Sequence, residues 1–97
     1  QPKSKVIREG KVQEVPSEEI VLGDLIQTEE GTFIPADGVI LQSNDFSVNE
    51  SILTGESLSV FKNEKTENKH VYQGTIVASG LAICKVTAIE NKPNWEK

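Results

Sequence analysis

The stretch Leu81–Ile89, LAICKVTAI, is the longest strand-like segment of this 97-residue sequence. Side chains alternate between the two faces of an extended chain, so Ala82, Cys84, Val86 and Ala88 share one face. A strand that buries one face needs neighbouring strands to pair with it. The stretch therefore predicts a sheet protein and directs attention to the segments that could supply the partners.

Shorter strand-like segments fill most of the remaining sequence. They are Val6–Arg8, Lys11–Gln13, Leu25–Thr28, Val39–Gln42, Phe46–Val48, Val60–Phe61, Val71–Tyr72 and Thr75–Val77. Turn residues such as Glu9–Gly10 separate them. The best helix candidate, Ser51–Phe61, is interrupted by Gly55. The pattern predicts an all-β fold, a distorted jelly roll of two packed sheets with at most a short helical turn, capped by Ser17.

The length predicts one domain with a core over residues 1–90 and a tail over residues 91–97 that leads toward a missing linker. Trp95 lies in that polar tail. Residues 63–70 are polar throughout and predict a solvated loop. No stretch approaches the twenty or so apolar residues that a bilayer span requires.

Charge and residue counts exclude several classes of function. Fifteen acidic residues against ten basic ones give a net charge of −5, which disfavours nucleic acid and anionic membrane surfaces as direct partners. The single cysteine, Cys84, excludes an internal disulfide and a cysteine-rich zinc site, and its apolar face predicts a buried, inert thiol. The single histidine, His70, is predicted to be solvated. We therefore expect carboxylates, hydroxyls and backbone groups to carry any chemistry, with no bound metal.

The segment Thr54-Gly55-Glu56-Ser57 carries the candidate site. The preceding Ile52 and Leu53 are predicted to anchor it, and Gly55 allows a tight turn and close approach to another surface. A carboxylate on a loop tip can orient a water molecule and accept its proton, which suits attack on a phosphoryl or acyl group held elsewhere. The alternative for these residues is a polar surface loop without a chemical role.

Several segments together resemble the actuator domain of P-type ATPases, the cation pumps that form an aspartyl-phosphate. Thr54-Gly55-Glu56-Ser57 is similar to the signature of that family. Further similar segments occur in the family's order: Val21–Ile26, Ile34–Gly38, Glu50–Leu53 and Gly74–Gly80. The resemblance covers residues 6–89, nearly the whole chain.

The resemblance implies a function that composition does not reveal. The domain would be a cytoplasmic part of an integral membrane protein, and its signature would dock on the phosphorylation domain. Glu56 would position the water that hydrolyses the aspartyl-phosphate, Thr54 and Ser57 would support the loop, and Gly55 would allow close approach. The phosphorylation and nucleotide-binding domains and the transmembrane helices of the same parent chain would be its partners.

The same resemblance implies that ATP and magnesium are bound by those absent domains, so this domain holds no cofactor and no direct small-molecule ligand. The isolated domain is expected to be a monomer without activity. The Pro35-Ala36-Asp37 turn resembles the calcium-pump and proton-pump branches more than the heavy-metal branch. Three residues depart from the family pattern: Asn49 replaces an aspartate, Ser59 a proline and Glu90 a glycine.

Two alternatives compete with this interpretation. Asp45, Ser47, Asn49 and Ser51 followed by Glu56 have the spacing of an EF-hand calcium loop, but Glu50 occupies the position that requires glycine. The second alternative is a β-rich binding or interaction module with a fortuitous signature match. An exposed Glu56 on a loop would favour the pump domain, whereas a ligand groove elsewhere would favour the binding module.

Overall fold

The computed structural model describes residues 3–56 and 58–88 of the chain, and strands make up most of this part. In chain order they are β1 (Lys3–Arg8), β2 (Lys11–Pro16), β3 (Leu25–Glu29), β4 (Asp37–Asn49), β5 (Ser59–Phe61), β6 (His70–Val71) and β7 (Ile76–Ala88). The all-β prediction is confirmed. No helix within the described residues is long and apolar enough to cross a membrane. The tail over residues 91–97, with Trp95, lies outside the described residues.

Two single helical turns interrupt the strands. A 3-10 turn, Ser17–Glu19, follows β2 where a turn was predicted, but Pro16 takes the N-cap position and Ser17 is its first residue. The second turn, α1 (Ser51–Thr54), was not predicted. Gly55 ends it in the left-handed conformation, with φ of 79°. Gly55 therefore prevents a long helix here and at the same time terminates a short one.

All strand pairs are antiparallel and form one hydrogen-bonded sheet in the order β2-β1-β3-β7-β4-β5, with β6 also paired to β4. Two packed sheets were predicted, and the structure joins all these strands into one hydrogen-bonded sheet. The reason is that β4 and β7, each 13 residues long, pair with each other and continue past the bend in the sheet. Each of them joins two of the predicted short strands into one.

A corner between β4 and β7 makes this continuity possible. Asp45 has a φ of 51° and Gly80 a φ of 81°, and the pairing register shifts between Asn44 and Ser47. A Cβ atom on Gly80 would overlap the carbonyl oxygens of Asn44 and Asp45. The buried face also changes there, because Val77 before the corner is buried and so are Ala82, Cys84 and Val86 after it. Both strands therefore bend at one point without losing their pairing.

The β1–β2 hairpin forms at the predicted turn. Arg8 pairs with Lys11, and the two residues between them, Glu9 and Gly10, both have positive φ, of 55° and 77°. Positive φ at both central positions defines the turn that matches the right-handed twist of paired strands. The sequence therefore specifies this hairpin locally.

The core lies on one side of the bent sheet and contains side chains from most of the strands. Its buried apolar members are Val6, Ile20, Ile26, Ile34, Ala36, Ile40, Phe46, Val48, Val71, Val77, Ala82, Cys84 and Val86. Cys84 lies at its centre, opposite Ile26 of β3 and Ile40 of β4. The face predicted from Ala82, Cys84, Val86 and Ala88 is a core face at the first three positions, whereas Ala88 at the end of β7 is exposed.

Arg8 holds the turn that precedes β3. Its Nη2 and Nε donate to the Asp24 carboxylate at 2.8 and 3.3 Å, and the Val21 N–H donates to the same carboxylate at 3.0 Å. These hydrogen bonds, that from Arg8 above all, lower the pKa of Asp24 below its ordinary value, although partial burial opposes them. The ionised carboxylate is therefore part of the folded structure.

We predict that Gly80→Ala destabilises the domain far more than Gly10→Ala. Both glycines have positive φ, so each substitution carries the cost of a left-handed alanine, about 1–2 kcal/mol. Only at Gly80 does the new Cβ also collide with backbone, whereas nothing lies within 4 Å at Gly10. We expect a total loss of about 3 kcal/mol or more at Gly80, measured by urea unfolding. Equal losses at the two sites would contradict the close approach at the corner.

We predict that Asp24→Asn removes part of the acid sensitivity of the fold. Since the folded protein binds a proton at Asp24 more weakly than the unfolded chain does, the carboxylate stabilises the fold above its unfolded pKa of about 3.9. That contribution disappears as the pH falls toward the lowered folded pKa. Between about pH 5 and pH 3, the free energy of unfolding of the parent domain should therefore fall more than that of Asp24→Asn. Parallel pH profiles in urea titrations would refute this prediction.

Candidate functional site

The candidate residues lie in the connection between β4 and β5, residues 50–58, which we call the signature loop. Asn49 pairs with Ser59 across the two strands, so the loop starts and ends at one point of the sheet. Thr54, Gly55 and Glu56 lie on it and are all exposed. Ser57, the fourth predicted site residue, lies outside the described residues.

Local hydrogen bonds shape the first half of the signature loop into α1. The Asn49 Oδ1 accepts the Ser51 N–H at 2.9 Å, which holds the first residue of α1 to the end of β4. The Glu50 carbonyl oxygen accepts the N–H groups of Leu53 and Thr54 at 2.8 and 3.0 Å. The Gly55 N–H donates to Ser51 at 2.8 Å, which completes the turn.

Thr54 connects this turn to Glu56. Its Oγ1 accepts the Glu56 N–H at 3.1 Å and lies 3.3 Å from the Glu50 carbonyl oxygen, to which it donates. The backbone of Glu56 is thus held, while its carboxylate makes no hydrogen bond or ion pair to any described residue. The side chain is exposed and not buried in the sheet core. A held backbone with an unpartnered carboxylate can present that group to another surface.

Large exposed apolar side chains lie on the same loop as Glu56. Ile52 and Leu53 were predicted to anchor the loop, but they are 69% and 55% exposed, and Leu58 is 71% exposed. The loop is therefore held by hydrogen bonds and charge rather than by apolar burial. Exposed apolar side chains grouped on one loop are typical of a surface that meets a partner.

A buried ion pair beneath the loop was not predicted from the sequence. The Lys62 Nζ lies 2.6 Å from the Glu50 Oε2, and the two side chains are only 3% and 14% exposed. Lys62 also donates to the His70 carbonyl oxygen and lies 4.8 Å from the centre of the Tyr72 ring. One signal was present in the sequence. If the alternation of side chains along β5 continues for one more residue, Lys62 lies on the same side as Val60. Because Lys62 is charged, the sequence alone does not predict that this side is buried.

The other candidate residues have structural roles or none. Asp37 was predicted to bond its own turn, but its Oδ1 accepts the Gln73 N–H at 2.8 Å. His70 is exposed as predicted, although it lies in β6 and not in the polar loop. The calcium-loop alternative fails because Asp45, Ser47 and Asn49 all lie within strand β4. Within the described residues no three His, Cys, Asp or Glu side chains form a candidate metal site.

Cys84 is buried as predicted. Desolvation raises the pKa of its thiol to about 12, against a smaller opposing effect of a hydrogen bond with Thr28. At neutral pH the group is therefore a protonated thiol inside the core, which excludes a nucleophilic role.

Comparison with known proteins identifies the family. The family model described as the P-type ATPase actuator domain matches residues 1–96. The chain belongs to this family of actuator domains. The actuator domain is 42% identical over 87 residues to a plasma membrane ATPase of Neurospora crassa, covering 89% of this chain. It is 40% identical over 87 residues to plasma membrane calcium-transporting ATPase 4 of Homo sapiens, covering 90% of this chain.

A solved structure agrees with this assignment. The actuator domain matches a crystal structure of a zinc-transporting PIB-type ATPase in the E2.Pi state with a TM-score of 0.76 and 31% identity, over 90% of this chain. The resemblance in sequence and the all-β architecture are thereby confirmed, and a fortuitous match of one tetrapeptide is excluded. The chain spans only 9% and 7% of the two relatives, and 14% of the zinc-transporting protein.

We predict that the Cys84 thiol of the folded actuator domain resists alkylation. With a pKa of about 12, its thiolate fraction at pH 8 is roughly 1,000-fold or more below that of an ordinary cysteine. Because the sequence contains one cysteine, a thiol reagent reports on this position alone. Labelling should be slow in buffer and rapid in denaturing urea, as followed by mass spectrometry. Rapid labelling in buffer would contradict the buried position.

Proposed function

We propose that this actuator domain serves an ATP-driven cation pump, in which Glu56 orients the water that hydrolyses an aspartyl-phosphate on another domain. The observation that carries the proposal is the state of Glu56: its backbone is held by Thr54, and its carboxylate is exposed and unpartnered among the described residues. The relatives named as calcium-transporting and zinc-transporting ATPases support the class of the parent protein.

The proposed chemistry is phosphoryl transfer to water. The water oxygen bonds to phosphorus while the Glu56 carboxylate accepts a proton from the water. At the same time the bond between phosphorus and the aspartate oxygen breaks. The products are inorganic phosphate and a free aspartate carboxylate. The domain contributes position and a proton acceptor, while the phosphorylated aspartate belongs to the partner domain.

The other residues of the signature loop have supporting roles in this proposal. Gly55 has no side chain and nothing within 4 Å of where a Cβ would be, so the loop can approach the phosphoryl group closely. Ile52, Leu53 and Leu58 would be covered when the loop docks, since they are exposed here. Thr54 holds the Glu56 backbone, and Ser57 is proposed to support the loop.

The proposal includes the location and partners of the domain. It lies on the cytoplasmic side of the membrane, where ATP is available, and works with the phosphorylation domain, the nucleotide-binding domain and the transmembrane helices of its own parent chain. Those other parts bind ATP and magnesium. The isolated actuator domain is proposed to be a monomer without ATPase activity.

We predict that Glu56→Gln in the full-length parent protein leaves phosphorylation by ATP intact and slows dephosphorylation. Glutamine keeps the size of the side chain but cannot accept the proton, and loss of a general base costs about 100-fold or more in rate. The measurement is the decay of radiolabelled phosphoenzyme after a chase with unlabelled ATP. Glu67→Gln, an exposed glutamate in the polar loop, is the matched control and should decay normally. Decay of Glu56→Gln at the parent rate would refute the role of Glu56.

A further inference from the structure

Lys62 occupies an environment that is unusual for a lysine. Only 3% of its side chain is exposed, and its ammonium group is surrounded by the Glu50 carboxylate, the His70 carbonyl oxygen and the Tyr72 ring. Lysine is almost never buried unless its charge is paired, because desolvation of the ammonium is costly. The apolar core cluster does not include Lys62, so apolar packing does not explain why this side chain is buried.

Glu50 is the first residue of the signature loop, and Lys62 lies beyond the other end of the loop, directly after β5. Glu50 follows the last residue of β4, and Lys62 follows the last residue of β5. The Lys62 N–H also donates to the Phe46 carbonyl oxygen at 3.0 Å, which fixes its backbone to β4. The ion pair therefore joins the residue that follows β4 to the residue that follows β5, at the base of the loop.

A chain of contacts leads from this pair to the acidic residue at the tip. The Glu50 side chain contacts Lys62, and the Glu50 carbonyl oxygen accepts the two N–H groups that form α1. The same oxygen accepts the Thr54 hydroxyl, whose Oγ1 in turn accepts the Glu56 N–H. A displacement of Glu50 must therefore move Thr54 and the backbone of Glu56 with it.

The Lys62 ammonium is also the principal restraint on the Glu50 carboxylate. The Glu50 Oε2 is buried, and among the described residues the Lys62 ammonium is its one close polar contact, an ion pair rather than an aligned hydrogen bond. Removing the ammonium would leave a buried carboxylate without a partner, which is strongly unfavourable. Glu50 would then turn toward water and carry the N-cap of α1 with it.

We propose that Lys62 is a positioning residue for dephosphorylation: through its ion pair with Glu50 it holds α1, and so Glu56, at the position where the water is activated. This inference rests on the proposed function of Glu56. In this proposal Lys62 acts through Glu50 and not by contact with the reacting atoms. Its effect is on the geometry of the loop, where a misplacement of about 1 Å can cost 100-fold in rate.

A purely structural role for the pair makes a different prediction. If Lys62 only stabilised the fold, its loss would lower the amount of folded protein, but the molecules that became phosphorylated would lose phosphate at the normal rate. Phosphoenzyme decay is first-order and does not depend on how much protein is folded. The decay rate constant therefore separates positioning from stability.

The experiment measures phosphoenzyme decay in the full-length parent protein carrying Lys62→Met, with Lys65→Met, an exposed lysine of the polar loop, as the matched control. We expect decay about 10- to 100-fold slower for Lys62→Met and unchanged for Lys65→Met. Normal decay of Lys62→Met would overturn the inference.

A double-mutant cycle with Glu50 tests whether the two residues act through one contact. Glu50→Gln should also slow decay, and Lys62→Met with Glu50→Gln should slow it no more than the worse single variant, because both remove the same restraint. If the two effects multiply, the residues act independently and the inference is wrong. If Lys62→Met yields no phosphoenzyme, Glu50→Gln decides: slow decay supports the inference, and normal decay overturns it.

The Glu56→Gln variant, measured alongside, distinguishes the two proposals. Slow decay of Glu56→Gln with normal decay of both pair variants overturns the positioning role alone. Normal decay of Glu56→Gln refutes the function proposed for Glu56, and the positioning role with it. Slow decay of Glu56→Gln, Lys62→Met and Glu50→Gln together supports both.

Discussion

The close approach of the β7 backbone to the β4 backbone at Gly80 is the constraint on which the rest of the fold depends. Every other strand attaches to the sheet through β4 or β7: β3, β1 and β2 follow from β7, and β5 and β6 pair with β4. The corner at Asp45 and Gly80 sets the angle between the two halves of that sheet. Because a side chain at Gly80 would occupy the space of two carbonyl oxygens, the corner requires glycine.

The corner also determines where the signature loop points. Only three residues separate Asp45 from Asn49, where β4 ends and the loop begins. β5 returns beside β4, with Ser47 opposite Phe61, so both ends of the loop are fixed to the part of the sheet beyond the bend. The loop itself carries exposed apolar residues and cannot be anchored by burying them. Backbone pairing and the ion pair at its base hold it instead.

A feature of this fold can be predicted from the sequence when residues close together in the chain specify it. The turn at Glu9–Gly10 and the core face around Cys84 were predicted because neighbouring residues specify them. The continuity of β4 and β7 was missed, since the turn-like residues at Asp45 and Gly80 break the alternation but not the pairing. Lys62 was missed because its partner is twelve positions earlier in the chain, and only the hairpin brings the two together.

The proposed function gives a reason for charged residues at the base of the loop. Apolar residues of similar size could stabilise this position as well as an ion pair does, because burying two charges costs about as much as their attraction returns. Apolar packing, however, is not directional, and it would allow α1 to settle in several orientations. An ammonium that meets one carboxylate allows few orientations. In the proposed function the same reasoning applies to Glu56: its backbone is held by Thr54, and its carboxylate, unpartnered among the described residues, is available to a group on another domain.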